Sequence, residues 1–91
     1  MSERILTLHP QGKKGVNISR PKYDVMRKAM TSVLKGKELT HAELTEAVER
    51  ALKGKFEGSV AWYMESVKLD LEARKVVARV KVGGETRYVL K

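Results

Sequence analysis

One stretch restricts the fold more than any other: Ser59 to Lys75, SVAWYMESVKLDLEARK, which runs directly into VVARVKVGGETRYVLK. Val60, Met64, Val67 and Leu71 recur at spacings of four, three and four, which stacks them along one face of a helix. Tyr63 and Arg74 flank that stripe, and Ser59 is placed to cap the first turn. The opposite face carries Trp62, Glu65, Ser66, Leu69 and Ala73, with Glu72 at its edge and no cation at its centre.

The closing segment alternates with period two, as a half-buried strand pair does. Val76, Ala78, Val80 and Val82 share one side of the first strand, and Arg79 and Lys81 the other. Matching apolar to apolar across the pair sets residue 80 opposite 88 and 82 opposite 86, leaving a three-residue loop, Gly83-Gly84-Glu85. That register displays Arg79, Lys81, Arg87 and Lys91 together. Cations on an edge hairpin also serve to keep it from pairing with other chains.

Two earlier helices are expected. The first runs from about Arg20 to Lys35, with Ser19 as N-cap, Pro21 in the first turn and Gly36 at its end. Its buried stripe is Val25, Met26, Ala29, Met30, Val33 and Leu34. Arg20 and Lys22 oppose the helix dipole, so local stability does not account for them. After a short extended Glu38-Leu39-Thr40, the sequence Thr40-His41-Ala42-Glu43 fits a capping box, with Leu39 and Leu44 as its staple. The second helix therefore starts at His41 and reaches about Leu52, with an acidic outer face of Glu43, Glu46 and Glu49. The six residues Lys53 to Gly58 link it to the third. Residues 1–19 form an extended arm in which Leu6/Leu8 and Val16/Ile18 alternate around a Gly-Lys-Lys-Gly turn, and residues 20–91 form the domain. Lys13 and Lys14 at that turn could meet a phosphate, but the spacing is not that of a nucleotide P-loop.

A chain of 91 residues makes one domain with a modest core, and 42% hydrophobic against 33% charged residues marks it as globular. Net charge is +8, divided as +7 over residues 1–37, −2 over 38–58 and +3 over 59–91. Such a surface attracts polyanions. Without cysteine there is no disulfide or thiolate chemistry, which fits a reducing cytoplasm. No apolar run reaches the roughly 20 residues a bilayer demands, and the opening residues lack a signal-peptide core. His9 and His41 stand apart, with no metal-ligand spacing, and no catalytic fingerprint is present. Glu65, Asp70 and Glu72 read as carboxylates that solvate an exposed helix. The expectation is a protein that is not an enzyme and uses no cofactor or metal.

The order helix, short strand, helix, helix, hairpin, and the join LDLEARKVVARV, resemble winged-helix domains over residues 20–91. The opening LHPQGKKGVNIS resembles small bacterial proteins grouped as a domain of unknown function, a likeness that spans nearly the whole chain and implies no activity. The winged-helix resemblance implies an α+β fold and double-stranded DNA as partner, as in a transcriptional regulator. Lys13, Lys14, Arg20, Lys22, Lys55, Arg79, Lys81 and Arg87 would then meet phosphates. Ser59, Ser66 and Lys68 would enter the major groove with Trp62 against sugar or a thymine methyl. About four to six phosphate contacts imply a log–log salt slope near −4 to −5. The alternative from a different class is a protein-interaction module, or a homodimer, using the Trp62 and Leu69 ridge.

Overall fold

A computed structural model describes residues 3–91. Its elements are β1 (Arg4–Leu6), β2 (Asn17–Ser19), α1 (Arg20–Leu34), α2 (His41–Ala51), α3 (Val60–Ala73), β3 (Val77–Val82) and β4 (Glu85–Leu90). This is an α+β fold of three helices and two antiparallel strand pairs, compatible with a winged-helix-like layout. No described helix is long and apolar enough to cross a membrane.

The helices meet along their apolar stripes. Tyr23, Met26, Met30 and Leu34 of α1 pack with Leu44 and Val48 of α2 and with Met64, Val67 and Leu71 of α3, all buried. Each such side chain contributes about 1.5–3 kcal/mol on leaving water. The stripe on α1 is displaced from the expected one: Tyr23 joins it, and Val25 is left 43% exposed. The capping box on α2 forms in both directions, Glu43 N–H donating to the Thr40 hydroxyl (3.2 Å) and Thr40 N–H to the Glu43 carboxylate (2.9 Å). Ser19, which ends β2 opposite Arg4 of β1, makes no such side-chain cap, and the Arg20 N–H donates to the Glu3 carbonyl (2.9 Å).

The arm has two strands as expected, with Val16 and Ile18 facing in, but the inward phase of the first strand is reversed. Ile5 and Thr7 turn in while Leu6 and Leu8 stay 53% and 43% exposed. Thr7 is the reason. Its N–H donates to the Val16 carbonyl (2.8 Å) and its hydroxyl accepts from the Val16 N–H (2.9 Å), which closes the loop from inside. Gly15 lies so near that a Cβ there would sit 1.9 Å from the Thr7 carbonyl oxygen.

The closing hairpin corrects the expected register. Val80 faces Arg87 and Val82 faces Glu85, so the turn is the two residues Gly83-Gly84, both at positive φ (60° and 83°). Such a pair matches the turn whose twist suits two adjoining strands. Tyr88 decides the register. It is 5% exposed, lies opposite Arg79, and exchanges two backbone hydrogen bonds with Leu39 (3.1 and 2.7 Å), so β4 is held on both edges. The inward face is thus Val77, Tyr88 and Leu90, and Ala78, Val80 and Val82 lie on the outer side. Arg87 shares that outer side, so it is not displayed with Arg79 and Lys81.

The join between α3 and β3 is a tight C-cap. Lys75 N–H donates to Glu72 O (3.1 Å) and Val76 N–H to Leu71 O (2.9 Å), with Lys75 in the left-handed region at φ 65°. This double bond pattern ends α3 and starts the strand at a fixed angle.

Candidate functional site

The face of α3 opposite the core is where a reading surface was expected, and the arm lies across its middle. Leu69 and Ser66 share a crevice with Thr7, Leu8, His9, Lys14, Gly15 and Val16. Further along, His9, Pro10 and Gln11 border a cleft of about 530 Å³ with Glu65, Leu69, Glu72 and Arg79. The arm is anchored there by Asp70. This carboxylate is wholly buried, contrary to its expected solvating role, and it accepts from Leu8 N–H (2.8 Å), from the Tyr23 hydroxyl and from Arg74 Nε (2.9 Å). Burial first, then the bond to Asp70 and its negative charge, push the Tyr23 hydroxyl above its ordinary pKa. The Arg74 guanidinium is pushed up too, chiefly by its hydrogen bond to Asp70.

Several residues expected at a groove are committed elsewhere. Lys68 is 3% exposed, and its ammonium lies 3.1 Å from His41 Nδ1, 3.1 Å from the Tyr88 hydroxyl and 3.4 Å from Glu65. Its ammonium is thereby tied down between α2, α3 and β4, with the half-exposed Glu65 as its charge partner. Arg79 pairs with Glu72 and lies over the Tyr88 ring at 5.6 Å. Ser66 donates to the Trp62 carbonyl (3.2 Å), and its hydroxyl is thereby used within the helix. Arg87 stands on the outer hairpin face 3.7 Å from Glu85, with a buried Nε that meets no partner among the described residues. Lys81 is exposed.

Trp62, Ser59 and Lys22 meet at the N-terminal end of α3. Trp62 is 49% exposed, and its ring stands edge-on to Tyr63 at 4.9 Å, which in turn meets Phe56 at 5.2 Å. The Lys22 ammonium covers this row, 5.1 Å from the Tyr63 ring and 5.9 Å from Phe56. So a cation from the first turn of α1 is held at the start of α3 by the faces of two rings. Ser59 is spent on capping, its oxygen accepting from Trp62 N–H (3.2 Å). Lys55 is exposed in the same loop as Phe56, and Lys13 and Lys14 are exposed on the arm that runs beside Ser66. Arg20 is exposed and loosely paired with Asp24 (3.4 Å). The Trp62/Leu69 ridge is divided: Leu69 is half-buried against the arm and Trp62 is open.

Nothing in the sequence pattern joins Phe56, Tyr63 and Trp62 into one row. The spacing of a linker phenylalanine seven residues before a tyrosine carries no periodic signal. Among the described residues no group of three or more metal-ligating side chains is gathered. No curated protein and no solved structure matches the chain. Residues 4–88 match a family model across nearly the whole length, and the chain belongs to the family of unknown function DUF6958.

Proposed function

We propose that this protein binds nucleic acid through the corner built by Trp62, Tyr63, Phe56 and Lys22, with Lys13, Lys14 and Lys55 supplying phosphate contacts, on a winged-helix scaffold. The observation that carries the reading is the half-exposed Trp62 ring, in T-shaped contact with Tyr63, whose own ring lies under the Lys22 ammonium. An indole half open to solvent offers ring surface to a base, and base–aromatic stacking contributes about 1–3 kcal/mol per base. The reading departs from major-groove docking. The centre of α3 lies under the arm, its Glu65 and Glu72 already occupy Lys68 and Arg79, and its lysine is buried. An unstacked base at Trp62 suits single strands and loops better than a closed duplex.

Trp62 is the sole tryptophan, so its fluorescence reports directly on the corner. Titration with a thymidine oligonucleotide should quench it saturably, with a log–log salt slope of about −3 for four phosphate contacts on a single strand. A duplex of the same length should bind more weakly and quench less. Trp62→Ala, tested by anisotropy of the labelled oligonucleotide, should weaken binding by about tenfold or more. Unquenched Trp62 at saturation, or an affinity indifferent to salt, would refute the proposal.

A further inference from the structure

The surface between α1 and α2 is a second feature of a different kind. Two shallow depressions, about 460 and 380 Å³, share Ser32, Val33 and Ala51 and so form one continuous groove. Its floor is apolar, made by Val25, Ala29 and Val33 of α1 and by Ala47 and Ala51 of α2. Val25 is 43% exposed there, an uncovered branched side chain on a helix whose other apolar residues are packed. The rim is cationic: Lys28 on one bank, Arg50 on the other, Lys37 at one end and Lys55 at the other. No aspartate or glutamate lines either depression. Arg50 is paired with Glu46 (2.8 Å), whereas Lys28, Lys37 and Lys55 have no ion-pair partner among the described residues.

We propose that this groove docks an amphipathic helix of a partner protein, with an apolar stripe of small and branched residues flanked by glutamates or aspartates. The apolar floor selects a helix face, since a helix laid in a groove is recognised through anchors one turn apart. From Val25 to Val33 the floor runs for about 12 Å, which takes about two to three turns of a docked helix. The four cations select the sign of the flanks and steer the encounter. A phosphate backbone would meet the same cations but leave the floor uncovered. A second copy would bring the acidic outer face of α2, which has no apolar stripe between its glutamates. The groove does not include Trp62, and of the residues proposed to meet nucleic acid it holds only Lys55.

The test uses the whole chain and a hydrocarbon-stapled 18-residue peptide with leucines at i, i+3, i+4 and i+7 and glutamates on both flanks. A counterpart with lysines replacing the glutamates serves as control. Binding is read by anisotropy and located by amide chemical-shift changes. The acidic peptide should bind saturably, at least tenfold tighter than the basic one, and shift the amides of residues 25–33 and 47–51. Ala51→Glu places a bulky carboxylate on the floor at an exposed position, and should weaken the acidic peptide at least tenfold while the melting temperature holds within a few degrees. Lys28→Glu with Lys37→Glu should reverse the preference between peptides. Absence of binding, equal affinity for both peptides, indifference to Ala51→Glu, or complete displacement of the peptide by an oligonucleotide that itself shifts the amides of residues 25–33 would overturn the proposal. So would a wild-type dimer in sedimentation that Ala51→Glu dissolves, since the occupant would then be a second copy.

Discussion

Tyr23→Phe isolates one bond at the anchor of the arm. The ring keeps its packing, and only the hydroxyl that donates to the buried Asp70 is lost. Asp70 retains Leu8 N–H at 2.8 Å and Arg74 Nε at 2.9 Å, so its charge stays compensated and the arm stays attached. A hydrogen bond to a charged acceptor contributes about 1.5–3 kcal/mol, and a domain of this size loses about 4–8 °C of melting temperature per kcal/mol. The expected cost is therefore about 2 kcal/mol, or a drop of about 8–16 °C at neutral pH. The pH dependence adds a second reading. The folded Tyr23 hydroxyl titrates above its ordinary value of 10.0, so the folded state keeps a proton that the unfolded chain has released. That contribution is full below the unfolded pKa and fades as pH rises through the folded one. Thermal unfolding followed by circular dichroism should show the gap between wild type and Tyr23→Phe closing as pH climbs past 10.0. A loss under about 0.5 kcal/mol at neutral pH, the scale of an ordinary surface change, would refute the role given to Asp70. So would a gap that stays constant to about pH 11.

Other local features have equally direct outcomes. Lys75→Gly relieves a left-handed residue at the C-cap of α3 and should raise stability by about 0.5–1 kcal/mol in urea unfolding. Gly15→Ala places a Cβ at 1.9 Å from the Thr7 carbonyl oxygen, so the loop of the arm must open. It should cost about 1–3 kcal/mol and render residues 7–16 sensitive to limited proteolysis. Glu43 titrates below its ordinary 4.5, first through the Thr40 N–H it accepts, so its contribution is present above that value and disappears as pH falls through the folded pKa. The melting-temperature difference between wild type and Glu43→Ala should therefore shrink in acid.

Local chemistry was readable where the partners lie within a few residues. The capping box at Thr40, the glycine after α1 and the helical stripe of α3 were all placed from sequence, because caps and periodicity act over one or two turns. The hairpin register was not, because Val80 and Val82 look like core and are not. The buried face is selected by Tyr88, which takes its second edge from Leu39, nearly fifty residues earlier. The burial of Asp70 and Lys68 was hidden for the same reason. Beside Arg74 and Glu65 on the same helix, their partners are Leu8, Tyr23, His41 and Tyr88, all distant in sequence. A signal was present in the helix itself: Asp70 follows Val67 by three and Lys68 follows Met64 by four, which sets both beside the apolar stripe. Of the wing cations, Arg87 falls on the other face through the two-residue turn and Arg79 is paired with Glu72 across the helix–strand join, neither of which alternation alone reveals.

The two proposed surfaces adjoin at Lys55, and that contact has a measurable consequence. Lys55 lines the groove between α1 and α2, and it precedes Phe56 in the loop that holds the aromatic row. One ammonium cannot serve a glutamate of a docked helix and a phosphate at the corner with full strength. Losing one exposed ionic contact costs about 0.5–1 kcal/mol, a factor of about two to five in affinity. Linkage makes the penalty mutual: the oligonucleotide must weaken the acidic peptide by the same factor by which the peptide weakens the oligonucleotide. Titrating each ligand with and without a saturating amount of the other should show this reciprocal loss. It should fade at high salt, where screening shortens the reach of each charge to about 3 Å. Lys55→Gln should abolish it while leaving each ligand bound through its remaining contacts. Two affinities that are independent of each other in wild type would show that Lys55 serves only one surface.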